Sequence, residues 1–148
     1  MATSTLIQFL DAGEGADTSN RSQVETFFAG GTIAAGDWVQ LDTGKTGADR
    51  VLYVITDDNS YANGNGLIVG VALTNAAANE QVRVVVAGYA AGANVANAVA
   101  GAGVPLIVDN TAAGRAVPTA AADTASSCGV TLAGALGNRA DVWVYKQF

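Results

Sequence analysis

The stretch 65–88, reading NGLIVGVALTNAAANEQVRVVVAG, limits the possible folds more than any other part of the chain, because it holds two runs of alternating side chains around one short polar turn. In the first run Leu67, Val69, Val71 and Leu73 point one way while Ile68, Gly70 and Ala72 point the other, setting a large-residue face against a small-residue face. The small face predicts close packing by a neighbour. In the second run Val82, Val84 and Val86 share a face opposite Gln81, Arg83, Val85 and Ala87, the alternation of a strand with one core side. Between them, residues 74–79 supply the turn: Asn79 tolerates a positive φ, and the alanines are poor strand formers. The pair predicts a β-hairpin.

Further β signals lie on both sides. Residues 1–23 are polar apart from an apolar knot at Leu6, Ile7, Phe9 and Leu10, and predict either an N-terminal arm that reaches a neighbouring subunit or an edge strand that completes the sheet. Residues 24–28, carrying Phe27 and Phe28, read as a short strand, and 37–43 as another, with Val39 and Leu41 inward and Trp38, Gln40 and Asp42 outward. That orientation puts Trp38 either at a contact surface or beneath a neighbouring loop. RVLYVIT, residues 50–56, is apolar on both faces and predicts a covered central strand. A polar loop, 56–66, follows; its Asp57, Asp58, Asn59, Asn63 and Asn65 lack the order of an EF-hand loop and its closing Glu, so a solvated hairpin loop containing Tyr61 is expected there.

After Gly88 the Ala/Gly/Asn segment predicts a long irregular connection with about one helical turn, since Ala favours a helix that the interspersed Gly opposes. Strands are then expected at 104–109, near Ala116 and Val117, at 128–133 and at 140–146, the last with Val142 and Val144 opposed to Trp143 and Tyr145.

The second half echoes the first. AGDWVQLDTGKTG aligns with AGVPLIVDNTAAG at a shift of 67, pairing Gly36 with Gly103 and Gly47 with Gly114. GVALTNAAAN aligns with GVTLAGALGN at a shift of 59, placing Asn79 on Asn138, and the last strands align at a shift of 60, Val82 on Val142. The expected architecture is an all-β domain, 24–148, built as a compact β-barrel or β-sandwich with an internal pseudo-repeat of strand–hairpin units, 31–88 and 98–146, behind an N-terminal arm.

Composition narrows the chemistry. The chain has 148 residues, enough for one domain with its own core, and only 14% of them are charged, so part of the surface is expected to be covered. A net charge of −6 with seven dispersed Lys and Arg argues against nucleic acid as a partner, because phosphate neutralisation needs clustered cations. There is no histidine, which removes the commonest general base and metal ligand, and the single Cys128 allows no intramolecular disulfide or cysteine cage and predicts a small buried hydrophobe. HExxH, GxSxG and phosphate-loop patterns are absent from the sequence. Carboxylate pairs such as Asp37 with Asp42, Asp57 with Asp58 and Asp109 with Asp141 each have a turn or strand-end role available. No enzyme, cofactor, metal or small-molecule substrate is expected. The N-terminal residues have no basic region and no long apolar run, so no membrane association and synthesis in a host cytoplasm are expected.

Two segments, AAGDWVQLD (34–42) and VGVALTNAAANEQVRVVVAG (69–88), together resemble the small bacteriophage structural proteins that decorate, or cement, the capsid. The pattern is carried by Gly36-Asp37, Gly70-Val71-Ala72-Leu73, Ala76 to Ala78, Glu80 and Gly88, in that order, with Asn79 where the family more often has glycine. The resemblance covers roughly 24–145 when the weaker second half is included. It implies a non-enzymatic virion protein on the outer capsid surface, a homotrimer that binds the major capsid protein and stabilises the lattice. Another phage or surface β-module, such as a tail, fibre or carbohydrate-binding domain, is the alternative. The residues expected at partner contacts are the knot Leu6, Ile7, Phe9 and Leu10 and the aromatics Phe27, Phe28, Trp38, Tyr61 and Trp143, with Phe148 a further candidate; core packing is the competing role for each aromatic.

Overall fold

The computed structural model describes residues 22–57, 67–119 and 127–146. The expected contacts at Leu6, Ile7, Phe9, Leu10, Tyr61 and Phe148, and the Asp/Asn loop beyond Asp57, lie outside them. The described chain forms nine strands, β1 (Ser22–Ala29), β2 (Trp38–Leu41), β3 (Tyr53–Thr56), β4 (Ile68–Ala72), β5 (Gln81–Asn94), β6 (Pro105–Val108), β7 (Ala116–Pro118), β8 (Gly129–Thr131) and β9 (Arg139–Val144), and one helical turn, α1 (Asp49–Leu52). The all-β expectation holds.

Hydrogen-bonded order runs β1-β3-β2-β4-β5-β9-β8-β6-β7, and β1 also pairs with β5. The first five strands therefore close into a barrel, which leaves no free edge among them. β5 has 14 residues and outruns that barrel. Its first half pairs with β1 and β4, and its second half pairs with β9 from Gly88 to Asn94. Beyond it the order β7-β6-β8-β9 repeats the order β3-β2-β4-β5. A parallel bridge from Val95 to Ala116, with the Ala96 amide donating to the Ala116 carbonyl at 2.9 Å, draws this second sheet round on itself. The second half of β5 thus plays toward β9 and β7 the part that β1 plays toward β5 and β3.

The ladders fix the internal alignment residue by residue. Trp38 opposite Val71 corresponds to Pro105 opposite Val130, and Val39 opposite Gly70 to Leu106 opposite Gly129. Ala72 opposite Val84 corresponds to Thr131 opposite Val142. Val84, not Val82, is therefore the counterpart of Val142, which corrects the sequence alignment by two residues and preserves which side chains point inward. The turn correspondence also changes: Asn79 takes φ 67°, whereas in the second copy the positive φ falls on Gly137, at 64°, and not on Asn138.

Two hydrophobic cores follow from this arrangement. One, including Ile33, Val39, Val54, Val69, Ala72, Val82, Val84 and Val86, fills the first barrel. The other joins the interior of the second sheet, including Val95, Leu106, Val108, Cys128, Val142 and Val144, to the outward face of the first barrel at Trp38, Ile68, Val71 and Val85. All five residues of β4 are buried. The alternation expected across residues 67–73 breaks at Gly70, because Val69 and Ala72 enter one core while Ile68 and Val71 enter the other. A bulge is the cause: Val39 pairs with Gly70 but Gln40 pairs with Ile68, leaving an extra residue on β4. Gly70 is small for a specific reason, since a Cβ there would lie 1.8 Å from the Val85 carbonyl oxygen.

Two expected elements differ. Of 50–56, only Tyr53–Thr56 is strand; residues 49–52 form α1, with the Val51 amide bonded to the Ala48 carbonyl, and Val51 and Leu52 exposed. Of the expected irregular connection over 88–103, the part up to Asn94 is instead the second half of β5, because β9 supplies a partner that outweighs the weak strand propensity of Ala and Gly, whereas 95–103 is irregular as expected, without the helical turn. Gly88 and Gly92, at φ 91° and 62°, let β5 bend from the first barrel into the second sheet.

Candidate partner-binding surface

Trp38 is fully buried, and its indole Nε1 donates to the Asn94 carbonyl at 3.1 Å. A Cβ added to Gly129 would stand 3.1 Å from the far edge of its ring. Trp38 therefore seals the first barrel against the second and presents nothing to a partner, a correction to its expected contact role. The hydrophobic alternation that turned it outward was right, but the second copy covers that side. Around it the seam is hydrogen-bonded: the Trp38 amide donates to Gly114, the Gly114 amide to Asp57 and the Asn94 amide to Gly36. Arg139 Nη1 donates across the same seam to the Ala35 and Gly92 carbonyls, at 3.0 and 3.2 Å.

Trp143 is open to solvent at 36%, and Tyr145 at 39%. Its strand register gives it Tyr89 on one side and Val130 on the other, with Pro105 opposite Val130, so a half-exposed apolar row crosses the second sheet. Tyr89 is held by its hydroxyl, which donates to Asp141 Oδ2 at 3.2 Å. By the internal alignment this row corresponds to Val85, Val71 and Trp38, which the second copy covers. In the second copy the equivalent row is open.

Phe27 is half-buried at the end of the first barrel, where Phe27, Leu41, Val51, Val69 and Val86 line an apolar cavity of about 230 Å³ rimmed by Glu25 and Lys146. Phe28 is exposed at 37% and packs on Tyr53 with ring centres 5.5 Å apart, while Lys45 Nζ sits 4.3 Å above the Tyr53 ring. Phe27 and Trp143 thus lie on two apolar surfaces that share Lys146 at their border. Pro105, Val130, Val51 and Tyr145 were not among the contacts expected from sequence; carrying Trp38 and Val71 across the repeat would have reached the first two.

The carboxylates Asp37, Asp42, Asp109 and Asp141 are hydrogen-bonded within the fold. Asp109 accepts from the Thr111 amide and hydroxyl and pairs with Arg115; burial works to raise its pKa, but the Thr111 bonds and then Arg115 prevail and hold it below the usual carboxylate value. Asp141 accepts from Gly92 and Tyr89, Asp42 from Gly44, and Asp37 from Ala34 and Asn94. Among the described residues no group of three or more His, Cys, Asp or Glu is placed to hold a metal ion, and no helix is long and apolar enough to cross a membrane. Burial pushes the Cys128 thiol far above its ordinary pKa.

No protein-family model matches the chain, and no curated protein matches it. Among solved structures it is similar to the N base of the head fiber protein gp8.5 of bacteriophage phi29, at a TM-score of 0.53 and 18% identity, over 84% of this chain and 94% of that one. At that identity the likeness is one of fold.

Proposed function

We propose that this chain is a structural protein of a bacteriophage virion that binds the outer surface of the capsid lattice and stabilises it, acting without catalysis and without a cofactor. The observation that carries the reading is the fold likeness across 84% of the chain to a phage head fiber base. The Gly36-Asp37 and Gly70-Val71-Ala72-Leu73 motifs support the decoration form of this role, in which many copies cement the major capsid protein, and the apolar surfaces at Phe27 and Trp143 suit protein partners. Nucleic acid, membrane and small-molecule substrates are outside the proposed role. Individually modest contacts, each below about 800 Å² per partner, suffice for such a protein, because the lattice turns each later contact into a nearly intramolecular one.

The same neighbour favours a second reading, the base of a head fibre, and copy number separates the two. Purified chain mixed with intact capsids and sedimented is expected to pellet with them: near-lattice stoichiometry supports decoration, a few copies per capsid supports a fibre base, and no co-sedimentation with any phage capsid counts against both. Deleting residues 1–12 tests the arm, which is expected to contribute to capsid occupancy.

A further inference from the structure

The internal repeat leaves one join made and its counterpart unmade. Within the chain, the outward row Trp38, Val71 and Val85 of the first barrel packs into one core with Val108, Cys128 and Val144 of the second. By the ladder correspondence, Val108, Cys128 and Val144 occupy the positions of Leu41, Val69 and Val86 in the first barrel. Those three line the cavity of about 230 Å³ at the open end of the first barrel, with Phe27 and Val51 beside them. The row equivalent to Trp38, Val71 and Val85 is Pro105, Val130 and Trp143, which is half-exposed. The chain thus carries both halves of a contact it already makes internally: an uncovered row on the second copy and an uncovered mouth on the first.

We propose that the Trp143 row of one chain seats on the first-barrel mouth of a second copy of the same chain, giving a homo-oligomer. A second copy is the fitting occupant because the row and mouth are the unused counterparts of surfaces that already pack on each other. Lys146 lines both the mouth and the Trp143 surface, so the two sites are adjacent on the chain. Val51 at the mouth is 57% exposed and Tyr145 beside the row is 39% exposed, which gives each side a residue whose replacement spares the core. This inference rests on the repeat and not on capsid binding, and its test uses free protein, so the two fail separately.

The test is sedimentation-velocity and light-scattering analysis of the full chain over a concentration series, with Trp143 fluorescence quenching by acrylamide as the local readout. Wild type is expected to associate, with Trp143 becoming protected as concentration rises. Val51→Glu and Trp143→Thr are each expected to weaken association at least about tenfold, the loss typical of a central interface residue; Tyr145→Ser, which leaves the sheet intact, does so if Trp143→Thr fails to fold. Mixing Val51→Glu with the row variant should restore a complex, because one intact mouth and one intact row remain. A wild type that stays monomeric throughout, or a Val51→Glu chain that assembles like wild type, would overturn the proposal. Trp143 protection that ignores concentration and disappears when residues 1–21 are deleted would overturn it too, assigning the row to the chain's own N-terminal segment.

Discussion

Replacing Trp38 by alanine tests how the two barrels are joined. The indole is fully buried and belongs to the core shared by both copies, so truncation removes a large apolar side chain from a site walled by β-sheet on both sides. Such Trp→Ala changes cost about 3–5 kcal/mol. The Asn94 carbonyl also loses the indole donor, adding about 1 kcal/mol when no replacement arrives. A loss of about 4–6 kcal/mol is a large share of the 5–15 kcal/mol typical of a domain. In equilibrium urea unfolding, with a slope of about 2 kcal/mol per M, the midpoint should fall by about 2–3 M in a single transition, since β5 belongs to both barrels and ties their unfolding together. Far-UV circular dichroism reports the transition, with fluorescence of the remaining Trp143 as a second probe. A shift below about 0.5 M, or two separate transitions, would refute the picture of a shared, Trp38-sealed core.

Three other outcomes follow from single sites. Gly70→Ala should lower thermal stability by about 1–3 kcal/mol, because its Cβ would run into the Val85 backbone, whereas Gly31→Ala, with nothing within 4 Å, should change little. Asp109 is favoured as the carboxylate in the folded chain, so its contribution is present above the ordinary value of 3.8 and lost as pH falls through its lowered folded value; the stability gap between wild type and Asp109→Asn should therefore be open at neutral pH and close below that window, as read by denaturation at several pH values. Cys128 is wholly buried with its thiol pKa raised, so a thiol reagent such as DTNB should label it only as fast as the chain unfolds; rapid labelling under native conditions would contradict the burial.

Much of the fold was legible because period-two alternation survives wherever a strand has one inward face. Val82, Val84 and Val86 point into the first barrel while Val85 points out of it, and Val142 and Val144 repeat this in β9. Legibility failed where a second packing event overrode the local pattern. At Gly70 a bulge switches the faces of β4, which no one-dimensional period carries. From Gly88 to Asn94 the residues are weak strand formers, and only the β9 ladder makes them strand. Trp38 faces away from its own barrel as the pattern said, but what covers it comes from residues more than fifty positions further on. The candidate contact surface was only partly legible for the same reason: an apolar outward row is covered in one copy and open in the other, although the sequence pattern is similar in both.

The most direct test of the functional account is a reconstruction of the intact phage particle by cryo-electron microscopy, compared with particles that lack this chain. The account predicts density of a β-barrel with its attached second sheet on the outer capsid surface that is absent from the deficient particles. Matching reconstructions with no such density on the head would contradict it.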